Sequence, residues 1–177
     1  MHPMNYPASL QPTTTESLTL PSGRVAAFPK ATPTFAIWHG DPVETYGRKT
    51  VLDFNGRPAF AELAILWTLQ NEGWQGVWVD SFRRTFRTGY WDSSVNSTPE
   101  KSLPQKPDSL ADVVWNLAKA RSGVWDVFCW QDDKVLFCES KKAGRDRIRP
   151  SQLVFAESAL NVGLPLDSFL FVEWTTA

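Results

Sequence analysis

The chain has 177 residues, a formal net charge of −1 and a charged fraction of 21%. That length suits one domain with a sizeable core. The near-neutral charge excludes a globally basic nucleic-acid binder, so affinity for an anionic polymer has to come from local clusters.

No apolar run is long enough to span a bilayer, and no charged start followed by an apolar stretch marks a signal peptide. The two cysteines, Cys129 and Cys138, form no Cys-x-x-Cys motif and no Cys/His cluster, which argues against a zinc site and for buried thiols in a reducing compartment. The expected location is cytoplasmic.

Residues 1–34 are rich in Pro, Thr and Ser with few large apolar side chains. Such a segment buries too little surface to offset the entropy of ordering, so a disordered or extended arm is expected, followed by a single domain over residues 35–177. A short apolar run at 35–38 suits an edge strand, and His39 after it reads as structural. Residues 47–55 form a polar approach with an apolar patch at Val51, Leu52 and Phe54.

Residues 58–72 predict a helix, with Pro58 in its first turn and Gly73 at its C-terminal end. Its apolar positions Phe60, Leu63, Ile65, Leu66, Trp67 and Leu69 cover more than one face, so it is expected to be well buried. Glu62 stands in its first turn, where the helix dipole favours an acid. Residues 75–80 alternate as a short strand. Residues 82–90 either continue it or form a second strand, interleaving Arg83, Arg84 and Arg87 with Phe82 and Phe86. That mixture suits a nucleic-acid groove and, equally, a solvated face with its aromatics turned inward. Residues 93–107 read as a loop and 108–121 as a helix, together an insertion at about 93–121 covering the site or a sheet edge.

The chemistry concentrates in residues 123–152, GVWDVFCWQDDKVLFCESKKAGRDRIRPSQ. Two β-type runs flank a short polar turn, which predicts a hairpin. With Asp132 and Asp133 as the loop residues, Gln131 faces Lys134, Cys129 faces Leu136, and Asp126 falls opposite Glu139. Opposed side chains of an antiparallel pair stand roughly 5 Å apart at Cβ. Lys141, two residues on, shares that face, whereas Lys142 does not. Two neighbouring carboxylates repel unless compensated; a divalent cation compensates them, because hard cations take oxygen ligands. Acids plus a lysine able to hold water or a phosphate oxygen are the minimum set for metal-assisted phosphodiester hydrolysis. A basic loop with Lys142, Arg145, Arg147 and Arg149 follows, then a helix over about 150–162 whose N-terminus suits a phosphate. Gly163 stops it, and residues 167–175 fit a buried parallel strand.

Gly123-x-x-Asp126, Glu139-Ser140-Lys141 and Arg149-Pro150-Ser151-Gln152 resemble the PD-(D/E)XK nuclease superfamily, and within it the VRR-Nuc family, which includes the nuclease domain of Fanconi-associated nucleases. Trp125 stands where the superfamily often has proline. The resemblance covers about the last third of the chain plus the helix at 58–72. It implies an α/β, restriction-endonuclease-like αβββαβ core with a mixed central sheet and helices on both faces. It implies a Mg2+- or Mn2+-dependent DNA endonuclease in which Asp126, Glu139 and the Ser140 backbone carbonyl ligate the cation. Glu62 would reach the ion directly, through water or through a second ion. Lys141 would activate water, and Gln152 would help position it. Lys142, Arg145, Arg147 and Arg149, with Arg83, Arg84 and Arg87, are the expected DNA contacts. Branched DNA as substrate and a homodimer are expectations resting on the resemblance alone. The alternative is a non-catalytic nucleic-acid-binding or interaction module on the same fold.

Overall fold

The structure is a computed structural model that describes residues 4–45, 49–80, 85–89 and 123–177. The expected insertion at about 93–121, and Arg83 and Arg84, lie outside the described residues. Those residues form a mixed α/β structure dominated by one sheet, with two α-helices. The strands, in chain order, are β1 (Thr14–Thr19), β2 (Val25–Ala31), β3 (Thr34–Ile37), β4 (Leu52–Phe54), β5 (Arg57–Ala59), β6 (Gln75–Asp80), β7 (Thr85–Arg87), β8 (Val127–Gln131), β9 (Lys134–Lys142) and β10 (Phe169–Thr176). The helices are α1 (Ala61–Asn71) and α2 (Pro150–Asn161).

The β8–β9 hairpin has the register that its sequence implies. Asp132 and Asp133 are the loop, Gln131 pairs with Lys134, and Cys129 with Leu136. Asp132 takes the turn with a φ of 52°, a conformation Asp tolerates better than most residues. β6 pairs antiparallel with β8 and with β7, and β10 lies parallel to β9. The path across the sheet is β5-β4-β3-β10-β9-β8-β6-β7.

Alternation along these strands feeds two apolar layers. Val127, Cys129, Leu136, Cys138, Leu170 and Val172 pack with Leu63, Leu66 and Leu69 of α1. Phe128, Phe137, Phe169 and Phe171 pack with Phe155, Ala156 and Ala159 of α2. Each helix therefore covers its own sheet face. Fully burying a side chain of this size contributes roughly 1.5–3 kcal/mol. Both cysteines are free and buried in the α1 layer. No helix among the described residues is long and apolar enough to cross a membrane.

The N-terminal segment departs from the expected arm. β1 and β2 form an antiparallel hairpin, and β2 runs parallel to β10. Its apolar residues are few but well placed: Leu10, Leu20, Ala26, Phe28 and Ala31 are all buried. Phe28 packs edge-on against Phe169 and Phe171. Period-two placement on an edge ladder compensates for low apolar content, which bulk composition does not register. β3 likewise is no edge, since β10 and β4 flank it.

The approach to α1 differs as well. Asn55 and Gly56, with φ of 53° and 78°, close a tight hairpin between β4 and β5, a turn type that Asn-Gly strongly favours. Pro58 is therefore a strand residue paired with Asp53, and α1 begins after Phe60.

Candidate active site

Asp126 lies one residue before β8. Its carbonyl accepts the N–H of Val79 at 2.8 Å, carrying the β6–β8 ladder one step further. Its carboxylate turns toward β9, where Oδ2 accepts the Ser140 N–H at 3.0 Å. Gly123 permits this approach. Its φ is 78°, and a Cβ there would stand 2.0 Å from the Ser151 oxygen in the first turn of α2. The Gly-x-x-Asp spacing thus threads the chain past the helix N-terminus and delivers the aspartate to the sheet end. Trp125 donates its indole N–H to the Gln152 carbonyl at 3.3 Å and pins the same crossing.

Glu139 is 1% exposed. Its Oε1 accepts the Gln152 amide at 2.5 Å and pairs with the Lys141 ammonium at 2.6 Å. Its Oε2 is buried and has no hydrogen-bond partner among the described residues. An unsatisfied buried carboxylate oxygen carries a large desolvation cost. The Gln152 amide is set by the helix start, because its Oε1 accepts the Arg149 N–H at 2.8 Å, leaving the NH2 for Glu139. Helix capping and site orientation are therefore one contact set.

Burial pushes the Asp126 carboxyl well above the ordinary aspartate range, with further push from Glu139 and Glu62, against the opposing pull of Lys141 and Lys49. Burial raises Glu139 too, with Lys141 the main opposing influence. Both carboxylates thus lack enough positive charge around them.

Glu62 occupies the first turn of α1, close enough to act on Asp126 electrostatically. The Lys49 ammonium binds its Oε1. Among the described residues no three His, Cys, Asp or Glu side chains gather closely enough to hold one metal ion. No local sequence signal marks Lys49, because its contact with Glu62 reaches across the β4–β5 hairpin.

The expected DNA contacts divide. Arg145, Arg147 and Arg149 are exposed on the loop and at the start of α2. Lys142 turns to the opposite sheet face, donating to Thr50 Oγ1 at 3.0 Å with its ammonium 5.2 Å from the Trp174 ring centroid. That is the alternation of a strand, and it separates Lys142 from Lys141 as expected. Arg87 is a correction: it is 2% exposed, 3.4 Å from the Asp80 carboxylate and over the Trp78 ring. Because β7 pairs with β6, Trp78 and Arg87 are partners, and the guanidinium is turned into the structure instead of lining an open groove. Asp146 Oδ2 accepts the Lys142 N–H at 3.0 Å.

The chain matches no protein-family model, no curated protein and no solved structure.

Proposed function

We propose that the chain is a divalent-metal-dependent DNA endonuclease on a restriction-endonuclease-like core. The observation that carries this reading is Glu139. It is a buried carboxylate, gripped on one oxygen by Lys141 and Gln152 and without a hydrogen-bond partner among the described residues on the other, with Asp126 across the hairpin. The order α1, β6, the β8–β9 hairpin, α2, β10 supports it, as does the adjacency of β6, β8, β9 and β10 in the sheet.

The donor set fits a hard cation. Magnesium is typically held by one or two carboxylates, with water and substrate phosphate completing its shell. Asp126, Glu139 Oε2 and the Ser140 carbonyl would hold the ion, which supplies Lewis-acid stabilisation of charge on the phosphate oxygens. Glu62, bound by Lys49, acts on Asp126 through space. The Lys141 ammonium would hold and orient the attacking water, and Gln152 keeps Glu139 in one rotamer. The α2 N-terminus and the exposed Arg149 favour a phosphate nearby.

The test is incubation of plasmid and branched DNA with Mg2+ and with chelator. Mg2+-dependent cleavage that disappears in Asp126→Ala and Glu139→Ala is the expected outcome. Cleavage undiminished in chelator, or by both variants, would sink the proposal.

A further inference from the structure

A row of alternating charges crosses the sheet from the N-terminal hairpin to the candidate site. Glu16 on β1 and Lys30 on β2 begin it, Glu173 on β10 continues it, and Lys141 and Glu139 on β9 end it. Strand register puts them on one face. In the ladder Lys30 stands beside Phe171, two residues before Glu173. Phe171 in turn stands beside Glu139, and Glu173 beside Lys141. Paired residues of neighbouring strands share a face, as do residues two apart on one strand.

Lys141 therefore has two acids within reach. Glu139 is two residues back on its own strand, and Glu173 is its neighbour across the ladder, where strands lie about 4.8 Å apart. The Lys141 ammonium sits on Glu139 at 2.6 Å. Space does not impose that choice, because Lys141 and Glu173 both line a cavity of about 300 Å³. The Glu173 carboxylate is taken by Lys30 at 3.0 Å, and Lys30 is held by Glu16 at 2.9 Å. The Glu16 hydrogen bond raises Lys30 above the usual lysine pKa, burial opposes this, and Glu173 adds to it. Lys30 thus carries its charge at neutral pH. Arg147, the other cation at the cavity, is exposed on the loop after β9.

We propose that Lys30 is a positioning residue for the candidate site. By neutralising Glu173 it leaves the Lys141 ammonium to Glu139. Without it, Glu173 draws Lys141 across the ladder and away from the attacking water. The N-terminal hairpin thereby acts on the site through Lys141. The inference rests on the nuclease reading and adds a residue to it.

The test pairs cleavage with structure. Lys30→Gln should lower single-turnover cleavage of plasmid in Mg2+ about tenfold at saturating protein, the fall expected when Glu173 holds Lys141 in roughly nine molecules of ten. The protein concentration giving half the maximal rate should not move. Glu173→Gln alone should cut as fast as the wild type. Adding Glu173→Gln to Lys30→Gln should restore the rate, and Lys30→Arg should keep it. In crystals of Lys30→Gln grown in chelator, the Lys141 Nζ should lie about 3 Å from the Glu173 carboxylate. Lys30→Met serves if the first variant melts early. A row that only fastens the hairpin to β10 predicts the opposite pattern: Glu173→Gln as damaging as Lys30→Gln, and the double variant no better than either. That pattern, wild-type cleavage by Lys30→Gln, or Lys141 still on Glu139 in its crystals would each overturn the positioning role. The two claims separate. No cleavage by the wild type, with Lys141 moved to Glu173 in the variant crystal, removes the nuclease and leaves the positioning of Lys141. Mg2+-dependent cleavage indifferent to Lys30 leaves the nuclease and removes the positioning role.

Discussion

Removing a charge at the site should stabilise the protein when no metal is bound. In Asp126→Asn the amide oxygen can still accept the Ser140 N–H, so the turn geometry is kept while the carboxylate charge facing Glu139 and Glu62 is lost. Relief of strain at a functional site commonly adds about 0.5–2 kcal/mol. For a chain of this size each kcal/mol moves Tm by roughly 2–4 °C, so a rise of roughly 1–8 °C is expected in chelator at neutral pH. The pH dependence has a definite sign. A carboxyl whose folded-state pKa is raised favours the fold while protonated, so its contribution is full below the ordinary value of 3.8 and is lost as pH climbs through the higher folded value. The advantage of the variant should therefore vanish toward pH 3.8 and grow as pH rises. Metal should reverse the order. At about one hundred times its dissociation constant a ligand adds about 2.7 kcal/mol, and only the wild type should gain that much from Mg2+. Differential scanning fluorimetry across pH, with and without Mg2+, reads all of this. A variant less stable than wild type in chelator at neutral pH, or one stabilised equally by Mg2+, would refute the reasoning.

Gly123→Ala should lose about 2–6 kcal/mol by urea denaturation, combining about 1–3 for a left-handed backbone with a side chain and about 1–3 for overpacking against Ser151; a change under about 0.5 kcal/mol would contradict the packing described. Lys141→Ala should lower single-turnover cleavage at least about a hundredfold. Lys142→Ala should instead lower stability by about 1 kcal/mol, through Thr50 and Trp174, with cleavage largely kept; the opposite pattern would mean the strand faces are exchanged. Neutralising Arg145 and Arg147 together should flatten the slope of log affinity against log salt by about 1.4–1.8, and an unchanged slope would place the phosphates elsewhere.

The hairpin and its site were legible because local rules determine them. A two-residue turn sets the register, and the register decides which side chains share a face, so Asp126, Glu139 and Lys141 could be placed from spacing alone. Gln152 was expected at the site only through the resemblance to the nuclease superfamily; its amide does lie on Glu139. The N-terminal hairpin was hidden by averaging: Ala26 and Phe28 are ordinary in number but fall on alternate positions of one strand. Asn55-Gly56 was a readable turn signal overshadowed by Pro58, whose place in a first helical turn looked equally natural. The Lys49–Glu62 and Arg87–Asp80 pairs were not readable, because each depends on how separate segments come together in space.

The central claim is that Asp126 and Glu139 share a divalent cation, and a crystal soaked in Mn2+ tests it most directly through anomalous scattering. The account predicts one peak bridged by the Asp126 and Glu139 carboxylates and the Ser140 carbonyl, with Glu139 Oε2 turned from an unpartnered atom into an inner-shell ligand at roughly 2 Å. A Mn2+ peak remote from both carboxylates, or the same peak retained in Glu139→Gln, would contradict it.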